Sequence, residues 1–380
     1  MRPLVRLWKI TLRKKIIVLG ATGSIGKSAV DIVRNNPDLF EIVGLSAYSS
    51  RDDLESIANE FGMPPAILVA EKGGDALLAM IAEVDADIVL NGIAGASGLL
   101  PSKAALESGK DLALANKETI VMAGPLIRSL SDKYGKKILP VDSEHSAVFN
   151  LIEAYGKESV AEIILTASGG PFRSFDAARL STVTASDALK HPTWSMGAKI
   201  TIDSASLANK GLEVIEACRL FDMPPDRVKV VVHPQSLVHS LIRTKDGVLY
   251  AQLSKPDMRH PIFSALTWPE YRENKLEEFS FDVACSMQFE PPRYADFPLL
   301  GLAYRAAMLD GSYTIAFNAA NEVAVAAFLE GKISFIGLAE VTARVLESDW
   351  TIAPRSFEDV IDADHRARES AYTIIKGLIR

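Results

Sequence analysis

Two acidic residues flank a serine at the end of an apolar run, in the segment LPVDSEHSAVFN at residues 139–150. Asp142 and Glu144 are two positions apart, so on an extended chain both carboxylates point to the same side. Like charges this close repel each other unless a cation lies between them, and carboxylate oxygens suit Mg²⁺ or Mn²⁺. A solvated turn has the same composition, so the triplet alone leaves a turn and a metal site open. We expect His145 to support a ligand or to pack, because hard ions prefer oxygen.

A second polar segment, DSASLANKGLEVIE at residues 203–216, favours the metal site. Asn209 is predicted to cap the helix LEVIEACRLF, which would place Glu213 in its first turn. A carboxylate there is often only a capping residue or a partner of the helix dipole. Together with Lys210, Ser204 and Ser206, however, it forms a compact polar group that could hold a phosphate at a helix start.

Two loops between these segments extend the expected site. The loop TASGGPF, residues 166–172, can expose backbone amides beside Ser168, which suits an anion or an ordinary turn. The loop LKHPTWSMGAK, residues 189–199, contains His191 and Trp194. It is either a lid that closes over a substrate or a surface loop with a packed tryptophan.

A glycine-rich turn predicts a dinucleotide site near the start of the chain. The strand-like run IIVLG leads into Gly20, Gly23 and Gly26, and the helical period KSAVDIVRNN follows. Such glycines allow a tight turn and bring backbone amides close to a pyrophosphate at a helix N-terminus. The spacing G-x-x-G-x-x-G departs from the usual G-x-G-x-x-G, so a glycine turn without ligand is the alternative. After the second strand, SAYSSR offers hydroxyls and Arg51 where an NAD site carries an acid, which favours NADP(H) over a merely solvated arginine.

Composition limits the classes of protein that these segments can belong to. The chain has 380 residues, 48% of them hydrophobic, and a net charge of -7, which allows a sizeable core and two or three domains. No stretch is apolar enough to span a membrane, and no basic run interleaved with aromatic residues occurs beyond the first fifteen residues. We therefore expect neither a membrane nor a nucleic acid as partner. Cys218 and Cys285 are too few for a disulfide framework, so we expect free thiols and a reducing compartment.

The pattern of apolar residues predicts an α/β fold with three parts. Strand-like runs alternate with helical periods from Lys15 to Val141, which is typical of a Rossmann-like parallel sheet. The runs AEIILTA, AKITID, VKVVVHP, SLVHSLIRT and GVLYAQLS predict a central α+β catalytic domain, and later segments predict a C-terminal α-helical bundle. The expected limits are 1–142 for the nucleotide-binding domain, 143–266 for the catalytic domain, 267–294 for a linker and 295–380 for the helical domain.

Several motifs together resemble those of the 1-deoxy-D-xylulose 5-phosphate reductoisomerase family. From Ile16 into the C-terminal helical segment the chain reads, in family order, GATGSIG, ALANKE, PVDSEHSA, SGGPF, HPTWSMG, DSASLANKGLE, HPQSLVHS and KPDMRHPI. The resemblance implies NADPH- and divalent-metal-dependent rearrangement and reduction of 1-deoxy-D-xylulose 5-phosphate to 2-C-methyl-D-erythritol 4-phosphate, in the non-mevalonate isoprenoid pathway. It also implies Mg²⁺, Mn²⁺ or Co²⁺ as the ion, and a homodimer in the bacterial cytoplasm, which is favoured over a plastid.

The resemblance further implies roles for individual side chains. The metal ligands would be Asp142, Glu144 and Glu213, and the catalytic residues Lys117, Glu144 and His191. Substrate contacts would come from Lys117, Ser143, Glu144, Ser168, His191, Trp194, Ser204, Asn209, Lys210 and Glu213. Cofactor contacts would come from Thr22, Gly23, Ser24, Ile25, Asn116, Glu118 and Gly197. The chain departs from the family at Tyr48, Ser49 and Ser50, so we expect Ser49, Ser50 and Arg51 to replace the usual contacts to the 2′-phosphate.

Two other readings stay open on the sequence alone. One is a metal-dependent NADP dehydrogenase that reduces another phosphorylated hydroxy-ketone without rearrangement. The other is a regulatory protein that binds the cofactor and has lost its chemistry. Product analysis would distinguish the first from a reductoisomerase, because only a reductoisomerase yields a branched carbon skeleton. An NADPH-oxidation assay would distinguish the second, because a regulatory protein would show no turnover.

Overall fold

The N-terminal part of the chain is a six-stranded parallel sheet. The computed structural model describes residues 13–190, 194 and 196–378. The strands are β1 (Lys14–Leu19), β2 (Phe40–Ala47), β3 (Ala66–Leu68), β4 (Ile88–Asn91), β5 (Asp111–Leu114) and β6 (Ile138–Pro140), in the order β3-β2-β1-β4-β5-β6. β1 lies at the centre, and Ile16 pairs with Ile42 of β2 on one side and with Ile88 of β4 on the other.

Five helices connect these strands and cover both faces of the sheet. They are α1 (Ser24–Asn35), α2 (Arg51–Glu60), α3 (Val69–Glu83), α4 (Leu99–Glu107) and α5 (Lys117–Tyr134). Ile16 and Val18 belong to the core on one face, whereas Ile17 and Leu19 belong to the core on the other. Because both faces are covered, the strands are continuous apolar runs, as expected for a parallel sheet. The prediction of a Rossmann-like sheet is confirmed.

The central part of the chain is a mixed four-stranded sheet with helices before and between its strands. The helices are α6 (Ser143–Tyr155), α7 (Ala177–Leu180), α8 (Ala185–Ala188), α9 (Ala198–Ala205) and α10 (Ala208–Phe221). The strands are β7 (Val160–Ala167), β8 (Val228–Val232), β9 (Val238–Thr244) and β10 (Leu249–Leu253), in the order β10-β9-β7-β8. β9 and β10 form the hairpin expected from the turn residues KDG.

One strand prediction in this region is wrong. The run AKITID alternates β-branched and polar residues, but it lies in helix α9. Ile202 and Ala205, three residues apart, are both fully buried in one core, and Thr201 donates a side-chain hydrogen bond to the carbonyl of Gly197. A short apolar run does not distinguish a strand from a buried helix, and here tertiary packing decided. β3, in the first sheet, is a strand that the sequence did not predict, because its three residues are too few to form a recognisable pattern.

The C-terminal part is helical, as predicted. The helices are α11 (Arg259–Thr267), α12 (Pro298–Leu309), α13 (Tyr313–Leu329), α14 (Phe335–Val345) and α15 (Phe357–Leu378). α13 is buried on nearly all sides and packs against α14 and α15. α11 packs on α1, and its Ile262 and Leu266 join the core of the first sheet. The domain limits stay a prediction. None of the helices in the described residues is long and apolar enough to cross a membrane.

Candidate active site

Three carboxylates from separate elements converge at the carboxyl end of the first sheet. Asp142 follows β6 and is the N-cap residue of α6, Glu144 lies in the first turn of that helix, and Glu213 comes from α10. One oxygen from each carboxylate lies within 4.8 Å of the others. The expected meeting of Asp142, Glu144 and Glu213 therefore occurs.

The local structure that brings them together differs from the expectation in two ways. Asp142 and Glu144 do not project from an extended segment, because helix α6 begins at Ser143. Asn209 is not an N-cap, because α10 begins at Ala208, after a left-handed Leu207, and Glu213 thus lies in the second turn. Leucine rarely adopts this conformation, so no residue type marked the start of the helix.

Two buried lysines lie among these carboxylates. Lys117, the first residue of α5, donates to Asp142 and places its Nζ atom 3.5 Å from Oε1 of Glu213. Lys210 donates to Oε1 of Glu144 at 2.8 Å and also to Glu213. All of these side chains except that of Glu144 are about nine-tenths buried or more. Buried charges of one sign persist only when they are paired, and the lysines provide that pairing.

Burial and mutual repulsion set the protonation of the carboxylates. Burial and then the charge of Glu144 raise the pKa of Glu213 to about 7, against the attraction of Lys210. Burial disfavours the ionised form of Asp142, but Lys117 and His145 overcome this and hold its pKa below the ordinary value. The pKa of Lys117 stays well above the ordinary value, because Asp142 and Glu213 outweigh the effect of burial.

A second buried group lies directly behind Asp142. Nδ1 of His145 lies 3.2 Å from Asp142 Oδ2, and its Nε2 lies 3.0 Å from the carbonyl of Glu213. Both partners are acceptors, so both ring nitrogens donate when the imidazole is protonated. Burial lowers the pKa of His145, but Glu216 and Asp142 more than compensate and raise it to about 9. His145 thus fixes Asp142, as expected for a supporting residue.

The donor chemistry and the position of the first group fit a hard divalent ion. Asp142, Glu144 and Glu213 provide only oxygen atoms, and all three line a cleft shared with Ser143 and Lys117. Asp142, His145 and Glu216 also come within 4.8 Å of one another, but His145 and Glu216 are buried and line none of the described clefts near the site. The three-carboxylate group is therefore the better place for the ion.

Most of the residues expected around the substrate line one cavity next to the carboxylates, whereas Lys117 and Glu213 line the neighbouring cleft. This cavity is lined by Ser143, Glu144, Ser168, Trp194, Ser204, Asn209, Lys210 and His239, among others. Gly169 and Gly170 have positive φ, so the loop after β7 turns sharply here, and Ser168 accepts a hydrogen bond from the amide of Gly170. Ser143 donates to Oε2 of Glu144 at 2.6 Å. His191 lies outside the described residues.

A longer cleft runs from Lys117, beside the carboxylates, to the glycine turn. It is lined by Gly23, Ser24, Ile25, Asn116, Lys117, Glu118 and Gly197, among others, and it has about 1240 Å³ of open volume. The Cβ of any residue at position 26 would lie 2.5 Å from Cα of Ala21, so only glycine permits this turn. Thr22 lies in the turn, half-buried, and does not line the cleft.

Asn116 connects the floor of this cleft to α5. Its side chain donates to the carbonyls of Ile93 and Gly95 at 2.8 Å each, and to Glu118 at 2.9 Å, while it accepts from the amide of Thr119. It therefore caps the helix that carries Lys117 and also fixes the loop after β4.

The residues expected at the 2′-phosphate lie beyond the end of β2. Ser49 and Ser50 are exposed and precede or cap α2, and they do not line the cleft. Arg51 pairs with Glu55 at 3.2 Å and also with Glu71. These three residues are therefore exposed, but they do not line the cofactor cleft.

The sequence analysis did not predict a network of charged side chains in the wall of this cleft, which Glu118, Lys199 and Asp203 line. Lys199 of α9 lies 2.7 Å from Glu118 and 2.9 Å from Asp203, and Asn321 of α13 donates to Asp203 at 2.7 Å. The i,i+4 spacing of Lys199 and Asp203 could have indicated it, but that segment was predicted as a strand. Glu322, next along α13, accepts from the amide of Ala96 at 3.1 Å.

A parallel sheet with a glycine turn, next to three carboxylates that could hold a divalent ion, is typical of a metal-dependent dinucleotide oxidoreductase. Models of three protein domains match the chain: "1-deoxy-D-xylulose 5-phosphate reductoisomerase" at residues 16–73 and 68–124, its C-terminal domain at 138–221, and "DXP reductoisomerase C-terminal domain" at 253–370. The chain belongs to the 1-deoxy-D-xylulose 5-phosphate reductoisomerase family.

Individual relatives and solved structures agree with this assignment. The 1-deoxy-D-xylulose 5-phosphate reductoisomerase of Treponema denticola is 50% identical, over 94% of this chain and 96% of its own length. That of Treponema pallidum is 46% identical, over 95% and 97%. The structure of the Zymomonas mobilis enzyme in complex with NADPH is 38% identical, with a TM-score of 0.87 over 96% of this chain and 99% of that one. A DOX-P reductoisomerase in complex with NADPH, fosmidomycin and magnesium has a TM-score of 0.89 at 35% identity, over 96% and 99%.

Proposed function

We propose that the residues described above carry out the reaction of the family in this chain. That reaction is the NADPH- and divalent-metal-dependent conversion of 1-deoxy-D-xylulose 5-phosphate to 2-C-methyl-D-erythritol 4-phosphate, and the chain is an NADP-dependent oxidoreductase. The observation that carries the assignment of residues is the convergence of Asp142, Glu144 and Glu213, within 4.8 Å, between the cofactor cleft and the substrate cavity.

Asp142, Glu144 and Glu213 are the proposed ligands of the ion. When bound, the ion supplies polarisation of substrate oxygens, and NADPH supplies the hydride. Lys117 lies on the cofactor side of the carboxylates, so its ammonium can stabilise negative charge that develops on the substrate. Ser143, which donates to Glu144, presents its hydroxyl to the same cavity and can orient the substrate.

The phosphate end of the substrate is proposed to bind on the other side of Glu144. Ser168, Ser204, Asn209 and Lys210 line this part of the cavity, with Trp194 from the loop at 189–199. An ion that neutralises the carboxylates would compete with Lys210 for their oxygens, which leaves its ammonium available to an anion. Binding energy from the phosphate can then orient the reacting carbons, which lie elsewhere in the substrate. His191 is proposed to close over the substrate with Trp194.

The cofactor is proposed to bind along the cleft from the glycine turn to Gly197. Backbone amides of Thr22, Gly23, Ser24 and Ile25 lie at the start of α1, where the helix dipole favours a pyrophosphate. Asn116, Glu118 and Gly197 are proposed to line the nicotinamide half of the cleft. Ser49, Ser50 and Arg51 are proposed to contact the 2′-phosphate, for which Arg51 has to exchange its contacts with acidic side chains for contacts with the cofactor.

We also propose a homodimer that works in the bacterial cytoplasm. β10 is an edge strand whose Leu249 and Leu253 are exposed, and Tyr271, Phe281 and other apolar side chains between β10 and α12 are exposed as well. Exposed apolar surface of this kind supports association of two copies. The bacterial relatives and the two free cysteines support the location. Sedimentation of the purified chain tests the dimer.

The experiment that tests the function is an NADPH-oxidation assay with 1-deoxy-D-xylulose 5-phosphate, run with and without EDTA. We expect turnover that EDTA abolishes and that added Mg²⁺ or Mn²⁺ restores. NMR of the product must show a branched carbon skeleton, because a simple dehydrogenase would return an unbranched sugar alcohol phosphate. Fosmidomycin, which is bound in the related magnesium complex, is expected to inhibit. An unbranched product, or turnover that EDTA leaves intact, would contradict the proposal.

A further inference from the structure

Helix α5 is broken close to its catalytic end. Pro125 lies inside the helix, and Ala123 departs from helical geometry, with φ of -133° and ψ of 24°. Proline has no amide proton, and its ring displaces the carbonyl four residues earlier, which is that of Val121. The break thus separates a short amino-terminal half, which begins at Lys117, from the rest of the helix.

Arg219 of α10 supplies the donor that the proline lacks. Its guanidinium donates to the carbonyl of Val121 at 2.6 Å and to that of Ile120 at 3.1 Å. A third hydrogen bond, of 2.8 Å, goes to the hydroxyl of Thr314 on α13. An arginine suits this task because its several N–H groups point in fixed directions.

A glycine makes room for this arrangement. A Cβ at Gly124 would lie 2.8 Å from Cδ of Arg219 and 3.0 Å from its Cβ, so the bare backbone lets the arginine stem lie directly on α5. The side chain of Arg219 is only 12% exposed, and its partner Asp310 lies 3.6 Å away at the surface. The guanidinium of Arg219 therefore bonds to α5 and α13 and pairs with Asp310, which directly follows α12, while its stem packs on Gly124.

The two helices that Arg219 joins carry opposite sides of the active site. α5 begins with Lys117, whereas α10 carries Asn209, Lys210 and Glu213. The ion pair between Lys117 and Glu213, at 3.5 Å, is the point where the helices meet in the site. Asn116, by contrast, is anchored to the loop after β4 and does not depend on α10. A change at Arg219 should therefore alter the distance from Lys117 to Glu213 more than it alters the cofactor cleft.

We propose that Arg219 is a positioning residue, which fixes Lys117 relative to Glu213 by binding the backbone carbonyls exposed where Pro125 breaks α5. The inference rests on the proposed roles of Lys117 and Glu213. It adds that the geometry of the reaction is set about two turns away, by a contact that touches neither substrate nor cofactor.

The test compares Arg219→Met, Thr314→Val, Pro125→Ala and the double variant of Arg219 and Pro125 in steady-state kinetics and in Mn²⁺ binding by calorimetry. Arg219→Met keeps the apolar stem and removes all donors, so we expect kcat to fall about tenfold or more, because small misplacements of reacting groups are costly. The KM for NADPH should change less than about threefold, and the dissociation constant of Mn²⁺ should rise, because Glu213 loses its fixed position. Thr314→Val is the matched control, since it removes only the third hydrogen bond and should leave kcat nearly unchanged.

Rescue decides between positioning and simple support of the fold. Pro125→Ala returns an amide to the carbonyl of Val121, so in the Arg219→Met background it should recover at least about threefold in kcat and part of the Mn²⁺ affinity. If Arg219→Met does not fold, Arg219→Lys, which reaches fewer acceptors, takes its place with a smaller expected loss and the same rescue. Additive effects of the two substitutions, or a lowered Tm with unchanged kcat and Mn²⁺ affinity, would overturn the inference.

The same experiment separates this inference from the proposed function. Turnover by the unmodified chain tests the function before any variant is compared. The Mn²⁺ measurement does not need turnover, so it tests the role of Arg219 even if the substrate proves to be another compound.

Discussion

Replacement of Glu213 by glutamine is the most direct test of the metal site. The carboxylate is fully buried, and it accepts hydrogen bonds from Asn209, at 2.5 Å, and from Lys210. Glu213→Gln keeps the shape and one oxygen but removes one of three negative charges and turns an NH₂ group towards donors. Loss of one preorganised electrostatic contact costs about 10²–10³ in kcat. We therefore expect kcat to fall about a hundredfold or more, with Mn²⁺ affinity about 10- to 100-fold weaker.

The same substitution should leave cofactor binding and folding nearly unchanged. Glu213 does not line the cleft from the glycine turn to Gly197, so the dissociation constant of NADPH should change little. Lys117 keeps its contact with Asp142, so no buried lysine is left without a partner. The assay is NADPH oxidation over a titration of Mn²⁺, with calorimetry for NADPH. Glu153→Gln, at an exposed position of α6, is the control. A near-normal kcat with an unchanged Mn²⁺ requirement would remove Glu213 from the proposed ligands.

Three further substitutions test other parts of the site. Lys210→Ala should raise the KM for the phosphorylated substrate about tenfold, the value of a charged hydrogen bond, and should not raise it for an analogue without the phosphate; an equal loss with both compounds would argue against a phosphate contact. Arg51→Ala should raise the KM for NADPH about tenfold and leave the KM for NADH unchanged, as measured by initial rates with the two cofactors. An equal change in both KM values would exclude a contact between Arg51 and the 2′-phosphate. Gly26→Ala should abolish NADPH binding, measured by calorimetry, and lower the Tm, because its Cβ would lie 2.5 Å from Cα of Ala21. The control is Gly301→Ala, at an open position of α12, which should change neither quantity. Retained NADPH binding in Gly26→Ala would show that the turn adapts.

The parts of the fold that the sequence predicted correctly are those with long, regular apolar patterns. The strands from Lys15 to Val141 are buried on both faces, so their runs were continuous and easy to assign. Helix α9 was mistaken for a strand because eight residues of mixed β-branched and polar character fit both periods. Only packing against α10 and α13, which no local pattern contains, decides between them.

For the site, the sequence predicted the side chains better than their geometry. Asp142, Glu144 and Glu213 do meet, but through helix starts rather than through an extended segment and a capping asparagine. The helix α10 starts after a left-handed Leu207, and such a start depends on the surrounding structure rather than on residue type. The pair of Lys199 with Glu118 and the contact of Arg219 with α5 join elements that are far apart in the chain, so residue spacing could not indicate these two contacts.

The charges around the carboxylates explain how such a site can be buried before an ion binds. Asp142 contacts Lys117, and Lys210 contacts both Glu144 and Glu213, so each carboxylate has a cationic partner within the protein. Breaking a buried pair from one side leaves an uncompensated charge and costs about 3–5 kcal/mol. The lysines are therefore expected to be as important for assembling the site as for the reaction, since a lysine-to-alanine change removes a buried counter-charge that the ion can then replace. It follows that Lys117→Ala should make the Tm depend more steeply on Mg²⁺ concentration than it does in the unmodified chain, because the ion then stabilises a fold that has lost its internal counter-charge. An unchanged dependence of Tm on Mg²⁺ would mean that the ion and Lys117 do not share Asp142.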